Sequence, residues 1–210
     1  MKIMIASDIH GSALYCGQML DAYEREGADR LLLLGDILYH GPRNDLPEGY
    51  APKEVIAMLN PLKRELLCVR GNCDTEVDQM VLDFPIMADY CFLELEALSE
   101  NRKDEKEREQ RREKHRDSIT IFATHGHVYN PHTLPPMQNG DILLNGHTHI
   151  PACGEIMDMN GNCYMYLNPG SVSIPKEGSR HSYMIYERGA FIWKELRGEE
   201  YMTWKTGSRF

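Results

Sequence analysis

Short apolar runs recur along the chain, and each one stops at a group of Asp, Asn, His or Gly residues. The runs are Ile3–Ala6, Leu31–Leu34, Leu66–Val69, Ile119–Ala123 and Ile142–Leu144. Their length and their content of Ile, Leu and Val are typical of strands that are buried on both faces. The chain is therefore constrained to a fold in which buried strands deliver polar residues to the edge of a sheet.

Helical segments between these runs predict an α/β fold whose early strands are parallel. Ser12 is a suitable N-cap for a helix that ends at Gly27. The face of this helix predicted to point inward carries Leu14, Gly17, Leu20 and Tyr23. Pro52 suits the first turn of a second helix. The residues of the second helix predicted to point inward are Val55, Ile56 and Leu59.

The last third of the chain predicts hairpins instead. Asn160-Gly161 indicates a type I′ turn between Glu155–Met159 and Cys163–Leu167. A second hairpin is expected from Tyr183–Tyr186 and Ala190–Leu196. These hairpins predict a second, more antiparallel sheet that packs on the first.

The chain has 210 residues and a formal net charge of −9, which fits one domain over residues 1–210. An acidic chain is a poor match for long nucleic acid, which attracts basic patches. The segment Glu100–Asp117 contains 8 basic and 7 acidic residues and is expected to be an insertion at about residues 99–118. It is interpreted as a solvated helical excursion or loop, with a partner-binding or substrate-covering arm as the alternative.

The compartment is predicted from two features. The N-terminal apolar run is too short for a secretory signal, and no stretch approaches the ~20 apolar residues of a membrane span. The cysteines form no Cys-x-x-Cys pair and are interpreted as reduced thiols. They are Cys16, Cys68, Cys73, Cys91, Cys153 and Cys163. The prediction is a cytoplasmic protein with no membrane association.

The polar residues after the apolar runs form a set that is suited to metal binding. They are Asp8, His10, Asp36, Asn72, His125, His147 and His149. Carboxylates and imidazoles suit Mn²⁺, Fe²⁺, Co²⁺ or Zn²⁺. The set is too large for one tetrahedral zinc, so two metals sharing a carboxylate are expected. Two metals ~3.5–4 Å apart are the usual arrangement for displacement at phosphorus, where a bridging water becomes the nucleophile.

Read in order, these residues form the blocks Asp-x-His, Gly-Asp, Gly-Asn, His and Gly-His-x-His. In this pattern the sequence resembles the calcineurin-like metallophosphoesterases. Five longer stretches resemble the bacterial YfcE-type phosphodiesterases within that group, up to about residue 175. These stretches are Ser7–Gly11, His40–Asn44, Leu46–Pro52, Arg70–Asp74 and Asn168–Pro175.

The resemblance implies a four-layer α-β-β-α sandwich of two mixed sheets, with a dinuclear site at its edge. It implies manganese as the working metal, with Fe²⁺, Co²⁺, Ni²⁺ and Zn²⁺ as alternatives. By resemblance, the first metal is held by Asp8, His10, Asp36 and His149. The second is held by Asp36, Asn72, His125 and His147. Asp36 bridges the two ions, and Asp36 and Asn72 are the expected catalytic residues.

The sequence departs from the pattern at Cys73, where many relatives have a histidine that protonates the leaving group. A neutral thiol is a weak acid, so a phosphodiester with a good leaving group suits the site better than a phosphoprotein. His127 is the candidate general acid, and the alternative is that it orients His125.

The loop after Asp36 is expected to contact the substrate. Arg43 is predicted to fork onto a phosphate oxygen, and the alternative is a solvated surface loop. The residues assigned to substrate binding are His40, Arg43, Asn44 and Cys73, with Cys73 as a neighbour of the metals or a filler.

These features predict a phosphodiesterase that cleaves a small phosphodiester with a metal-activated hydroxide. The alternative is a catalytically weak metal-binding scaffold or assembly protein on the same fold. The acidic charge disfavours a nuclease, and Cys73 disfavours a phosphoprotein phosphatase. A homo-oligomer is an open alternative for the partner.

Overall fold

A computed structural model describes residues 1–96 and 118–207. The charged segment Glu100–Asp117 lies outside the described residues. The helices are α1 (Ala13–Glu26), α2 (Pro52–Leu59) and α3 (Glu76–Gln79), with a 3₁₀ turn at Asn60–Leu62. The strands are β1 (Lys2–Ala6), β2 (Arg30–Leu33), β3 (Leu66–Cys68), β4 (Tyr90–Glu96), β5 (Ser118–Thr124), β6 (Ile142–Leu144), β7 (Ala152–Met157), β8 (Cys163–Asn168), β9 (Ser182–Glu187), β10 (Ala190–Glu195) and β11 (Glu200–Lys205).

Two mixed sheets form the centre of the molecule. The first has the strand order β11-β10-β9-β1-β2-β3, and the second has the order β4-β5-β6-β8-β7. Strands β1, β2 and β3 are parallel, as predicted, and so are β5, β6 and β8. The other pairings are antiparallel. The prediction of an α/β sandwich of two mixed sheets is confirmed.

The sheets pack face to face through one of two apolar clusters. Ile5 and Leu32 of the first sheet and Ile121 of the second are fully or almost fully buried between the sheets. The second cluster lies on the other face of the first sheet, beneath α1 and α2. Burying one such aliphatic side chain contributes about 1.5–3 kcal/mol, so the two clusters hold the strands in fixed register.

In the described part of the chain, helices cover the outer face of the first sheet, whereas a loop lies on the outer face of the second. Helix α2 begins at Pro52 and buries Val55 and Leu59 against the first sheet, as predicted, with Ile56 partly buried. On the outer face of the second sheet, the loop between β5 and β6 places the ring of Tyr129 5.5 Å from that of Phe122.

Helix α1 has the predicted ends but a different buried face. Ser12 Oγ accepts a hydrogen bond from the Tyr15 N–H, and Gly27 adopts the left-handed conformation. The buried residues are Ala13, Cys16, Met19, Ala22 and Tyr23. Tyr23 is buried and Leu20 packs against the core as predicted, but Leu14 is 39% exposed, so the predicted inner face was only partly right. The loop at Gly49 packs against Leu14 in the first turn of the helix. The row of residues beside Leu14 faces the sheet instead.

The C-terminal hairpins divide between the two sheets. The predicted hairpin of β9 and β10 turns at Arg188-Gly189, where both residues have positive φ, as a type I′ turn requires. However, β9 pairs with β1, so this hairpin extends the first sheet, whereas β7 and β8 extend the second. A second sheet does pack on the first, as predicted, but the expectation that both hairpins belong to it was wrong. The free edge of β1 requires a partner, and local alternation does not reveal which strand supplies it.

The hairpin of β7 and β8 forms as predicted, but its turn is not type I′. In the loop Asp158–Asn162 only Gly161 has a positive φ, whereas a type I′ turn needs two such residues. The carboxylate of Asp158 accepts hydrogen bonds from the N–H groups of Asn160 and Asn162. These bonds stabilise a longer loop in place of the two-residue turn.

Two further features bear on the predictions. All six cysteines are free. Within residues 1–96 and 118–207, none of the helices has the length and apolar character that crossing a membrane requires.

Glu26, at the end of α1, joins the helix to three strands of the first sheet. Its carboxylate accepts hydrogen bonds from Lys194 Nζ at 2.9 Å, Tyr183 OH at 2.9 Å and Lys2 Nζ at 3.2 Å. The side chain is only 8% exposed. Burial raises the pKa of Glu26, but these hydrogen bonds outweigh burial and hold the pKa below its ordinary value of 4.5.

We expect Glu26→Gln to lower the free energy of unfolding by about 1–3 kcal/mol at pH 7, because charge-assisted hydrogen bonds are lost. A lowered carboxylate pKa stabilises the fold above the unfolded pKa, and this contribution is lost as the pH falls through the folded pKa. The difference from the wild type should therefore shrink below pH 4.5. Urea unfolding across this range measures it, with Glu24→Gln on the exposed face of α1 as control. A penalty that is constant with pH would contradict the assignment.

Candidate metal centre

The predicted metal ligands meet at one edge of the sandwich, where five strands end. They lie in the loops after β1, β2, β3, β5 and β6. Because the parallel strands of each sheet run in one direction, their carboxyl ends deliver these loops to the same place. Three groups of buried residues there could each hold a metal ion. The groups are Asp8, His10 and His149; His10, Asp36 and Cys73; and Asp8, Asp36 and His125.

Five of these residues have a backbone conformation that side chains rarely adopt. The φ angles are 60° at Asp8, 49° at His10, 55° at Asp36, 64° at His147 and 63° at His149. The left-handed region costs an ordinary residue roughly 1–2 kcal/mol, although Asp and His tolerate it better than most. Such strain clusters at functional sites, where the surrounding structure enforces it.

Three glycines precede predicted ligands, and they serve different purposes. Gly35 has a φ of 93° and provides a sharp turn at the end of β2. Gly71 and Gly146 do not have positive φ. A Cβ at Gly71 would lie 2.9 Å from Cγ of Asp36, and one at Gly146 would overlap Ser7 Oγ. These two glycines therefore allow close approach of neighbouring loops.

The first cluster is built from Asp8, His10 and His149. The two imidazole Nε2 atoms are 3.3 Å apart, and Asp8 Oδ1 lies 3.6 Å from that of His10 and 3.4 Å from that of His149. The Nδ1 atom of His10 faces the Tyr39 carbonyl at 2.8 Å, and that of His149 faces the Ile174 carbonyl at 2.6 Å. A carbonyl only accepts, so each Nδ1 carries the proton and each neutral ring turns a lone pair inward.

The second cluster surrounds His125. Its Nε2 lies 3.1 Å from Asn72 Oδ1, 3.1 Å from His147 Nδ1 and 3.4 Å from Asp36 Oδ2. Its Nδ1 donates to the Leu34 carbonyl at 2.7 Å. Its Nε2 therefore faces the oxygens of Asn72 and Asp36, and a cation bound there would take the place of the proton on this nitrogen.

Asp36 lies between the two clusters. Its Oδ2 is 3.7 Å from His10 Nε2 in the first cluster and 3.4 Å from His125 Nε2 in the second. Its Oδ1 accepts a hydrogen bond from the Cys73 N–H at 2.8 Å, which fixes the carboxylate plane. One oxygen of Asp36 thus faces both clusters.

The distances and charges within the clusters fit divalent cations. Ligand atoms about 2.1 Å from a common ion are about 3.0–3.4 Å apart in octahedral or tetrahedral geometry, close to the separations observed here. Asp8 Oδ1 is buried and has no hydrogen-bond partner among the described residues. Burial raises the pKa of Asp8, but the neighbouring imidazoles hold it far below its ordinary value. Burial lowers the pKa of His125, but Asp36 and Asp8 raise it to about 9. The field at the site is therefore strongly negative.

Asp74 is a supporting residue that was not predicted from the sequence. It is 1% exposed, and its carboxylate accepts hydrogen bonds from the N–H groups of Asp36 at 2.8 Å, Ile37 at 2.9 Å and Gly71 at 2.7 Å. It thereby fastens the loop after β2 to the loop after β3. Its place directly after Gly71–Cys73 was visible in the sequence, but its backbone partners were not.

A cleft of about 430 Å³ opens beside the clusters. Of the residues predicted to contact substrate, Arg43, Asn44 and Cys73 line it. Lys176 also lines the cleft and was not predicted, although it directly follows the family-like stretch Asn168–Pro175.

Two predicted residues do not line this cleft. The ring of His40 packs edge-on against Tyr39 and Tyr50, so His40 shapes the loop from behind. The ring centre of His127 is 5.5 Å from that of His125 and 6.3 Å from that of His147. His127 therefore adjoins the second cluster from outside the cleft.

Comparison with known proteins agrees with this geometry. Residues 1–189 match the model of the calcineurin-like phosphoesterase superfamily domain. The chain belongs to this superfamily. Its members include phosphodiesterase YfcE of Escherichia coli K12, which is 44% identical over 183 residues, covering 87% of this chain and 85% of the relative.

Solved structures within the superfamily show the same architecture. The structure of E. coli YfcE, described as a phosphoesterase, superposes with a TM-score of 0.80 and 38% identity, covering 99% of this chain and 100% of that chain. A predicted phosphoesterase from Streptococcus pneumoniae has a TM-score of 0.52 at 19% identity, covering 97% of both chains, and shows the shared fold alone.

We expect Asp74→Ala to lower the free energy of unfolding by at least about 3 kcal/mol, because each buried N–H left unpaired costs about 1–3 kcal/mol. Asp74→Asn, which keeps one acceptor oxygen, should lie between this variant and the wild type. Asp83→Ala is the control, since its carboxylate is 52% exposed and pairs with Lys63. That surface pair contributes less than about 1 kcal/mol. Urea unfolding measures all three, and equal losses for Asp74→Ala and Asp83→Ala would refute the role of Asp74.

Proposed function

We propose that this chain is a metal-dependent phosphodiesterase that cleaves a small phosphodiester with the help of two divalent cations. The observation that carries the proposal is the position of Asp36 Oδ2 between two clusters of inward-facing lone pairs. The E. coli relative named a phosphodiesterase supports the reaction class. The absence of a histidine at Cys73 supports a diester over a phosphoprotein.

The two clusters supply the proposed ligands. Asp8 Oδ1 and the Nε2 atoms of His10 and His149 would hold the first cation. The second would be held by Asn72 Oδ1, His125 Nε2 and His147 Nδ1, and Asp36 Oδ2 would touch both. When bound, such a pair of cations lowers the pKa of water and neutralises charge on phosphoryl oxygens. The backbone carbonyls behind His10, His125 and His149 fix the ring orientations for this task.

The cleft limits what can reach the clusters. Its volume of about 430 Å³ lies within the range of small-molecule sites. Arg43 and Asn44 line it, where they can bind phosphate oxygens of a substrate, as the sequence predicts. The net charge of −9 gives little support for binding a long polyanion. A small phosphodiester is therefore favoured over nucleic acid.

The residues near the cleft are weak proton donors for the leaving group. Burial, together with the charge of Asp36 beside it, raises the pKa of the Cys73 thiol well above its ordinary value. Burial and the neighbouring His125 lower the pKa of His127, so its ring is neutral near pH 7. His127, the candidate general acid, could donate only from its protonated ring, which the lowered pKa makes scarce near pH 7. A weak donor suits a substrate whose leaving group needs little protonation.

Donor chemistry guides the choice of metal and compartment. Mixed imidazole and carboxylate donors suit borderline divalent ions, and we propose Mn²⁺ as the working metal, with Fe²⁺, Co²⁺, Ni²⁺ or Zn²⁺ able to replace it. Six free cysteines support a reducing compartment, and we propose the cytoplasm.

We expect the protein loaded with Mn²⁺ to bind two ions per chain and to hydrolyse bis-p-nitrophenyl phosphate. Asp36→Asn should lower the rate by at least about 10³-fold, because the variant loses the charge that both cations share. Release of p-nitrophenol and metal analysis measure the two effects.

The matched control is His132→Ala, an exposed histidine in the loop that also carries His127. It should retain the activity and metal content of the wild type. Activity that is unchanged in EDTA would sink the proposal. Bound metal without turnover would favour the scaffold alternative.

A further inference from the structure

Two basic side chains line the cleft beside the clusters. Arg43 belongs to the loop after β2, and Lys176 belongs to the loop after β8. Within residues 1–96 and 118–207, neither side chain forms an ion pair or a hydrogen bond. Both charges are therefore available to an anion that enters the cleft, in a chain whose overall charge is −9.

The backbone of Lys176 is fixed relative to the proposed centre. Its N–H donates to the carbonyl of His149 at 3.3 Å, and its carbonyl accepts from the N–H of Ser179 at 3.0 Å. Two residues earlier, the carbonyl of Ile174 accepts from Nδ1 of His149 at 2.6 Å. The backbone of Lys176 is thus held to that of His149, while the Lys176 side chain is exposed at the cleft.

The charge of the proposed metal centre can balance the reacting phosphoryl group without Arg43 and Lys176. Two divalent cations with the carboxylates of Asp8 and Asp36 have a net charge of about +2. The hydroxide that they would activate and the phosphoryl group of a diester each carry about one negative charge, so the centre already balances the reacting groups. Arg43 and Lys176 add two further positive charges at the cleft. The surplus matches a second anionic group elsewhere on the substrate.

We infer that Lys176 and Arg43 form an anion subsite that selects phosphodiesters with a second negatively charged group, such as a phosphate or a carboxylate. The inference rests on the proposed function, because it concerns the substrate of that same centre. The planar guanidinium of Arg43 can bind two oxygens of the group at once, and the ammonium of Lys176 acts as a point charge. Neither residue takes part in bond cleavage, so the subsite acts on KM more than on kcat.

A matched pair of probes tests the subsite with the full chain loaded with Mn²⁺. The first probe is thymidine 3′-(p-nitrophenyl phosphate), and the second is the same compound with a 5′-phosphate. The wild type should have a KM about tenfold lower for the second probe, with similar kcat, as expected from one charge-assisted contact. Lys176→Met should raise this KM about tenfold and change the KM for the first probe less than about twofold.

Control variants separate a charge effect from a structural effect. Lys176→Arg should keep most of the preference, and Arg43→Met should lose it. Lys53→Met, an exposed lysine on α2, should behave as the wild type. If Lys176→Met weakens both probes equally, or neither, the subsite is refuted. A wild type that cleaves both probes with the same KM, or that cleaves bis-p-nitrophenyl phosphate but neither probe, refutes the subsite alone. One that cleaves none of the three compounds refutes the proposed function as well.

Discussion

The carboxylate of Asp36 lies between two groups of imidazoles, with one oxygen 3.7 Å from His10 Nε2 and 3.4 Å from His125 Nε2. Around it, the inward-facing nitrogen and oxygen atoms are mostly acceptors. Two imidazole lone pairs 3.3 Å apart repel each other unless a positive charge lies between them. This unmet need for positive charge dictates the spacing of the clusters, the burial of Asp8 and the chemistry that we propose.

Such an arrangement is costly, and the rest of the fold holds it in place. Five residues of the centre have left-handed backbone conformations, which an isolated peptide would avoid. The loops are held by hydrogen bonds from outside the clusters. Asp74 binds the N–H groups of two loops, and Ser171 and Ser173 donate to the carbonyl of Asp8. The strain at the site is balanced by these contacts and by the packing of the two sheets.

The sequence predicted what depends on local pattern. Buried strands, the caps of α1 and the residues that converge at the strand ends could all be read from short stretches, because hydrophobic runs and glycine positions determine them. Features that depend on tertiary contacts could not. The inner face of α1 was misjudged because the loop at Gly49 packs against the helix. The sheet to which β9 belongs is determined by the edge of β1, and Asp74 binds backbone groups that are distant in sequence.

The pairing of β1 with β9 joins Ile3 to Tyr186, across most of the chain. All seven proposed ligands precede residue 150, yet β1 lacks one neighbour until β9 exists. During synthesis on the ribosome, the nascent chain therefore carries every ligand well before it can hold them in place. Closing so long a segment is entropically slow. The centre should thus mature only once β9 has left the ribosome, and a product that is truncated before β9 should remain without it.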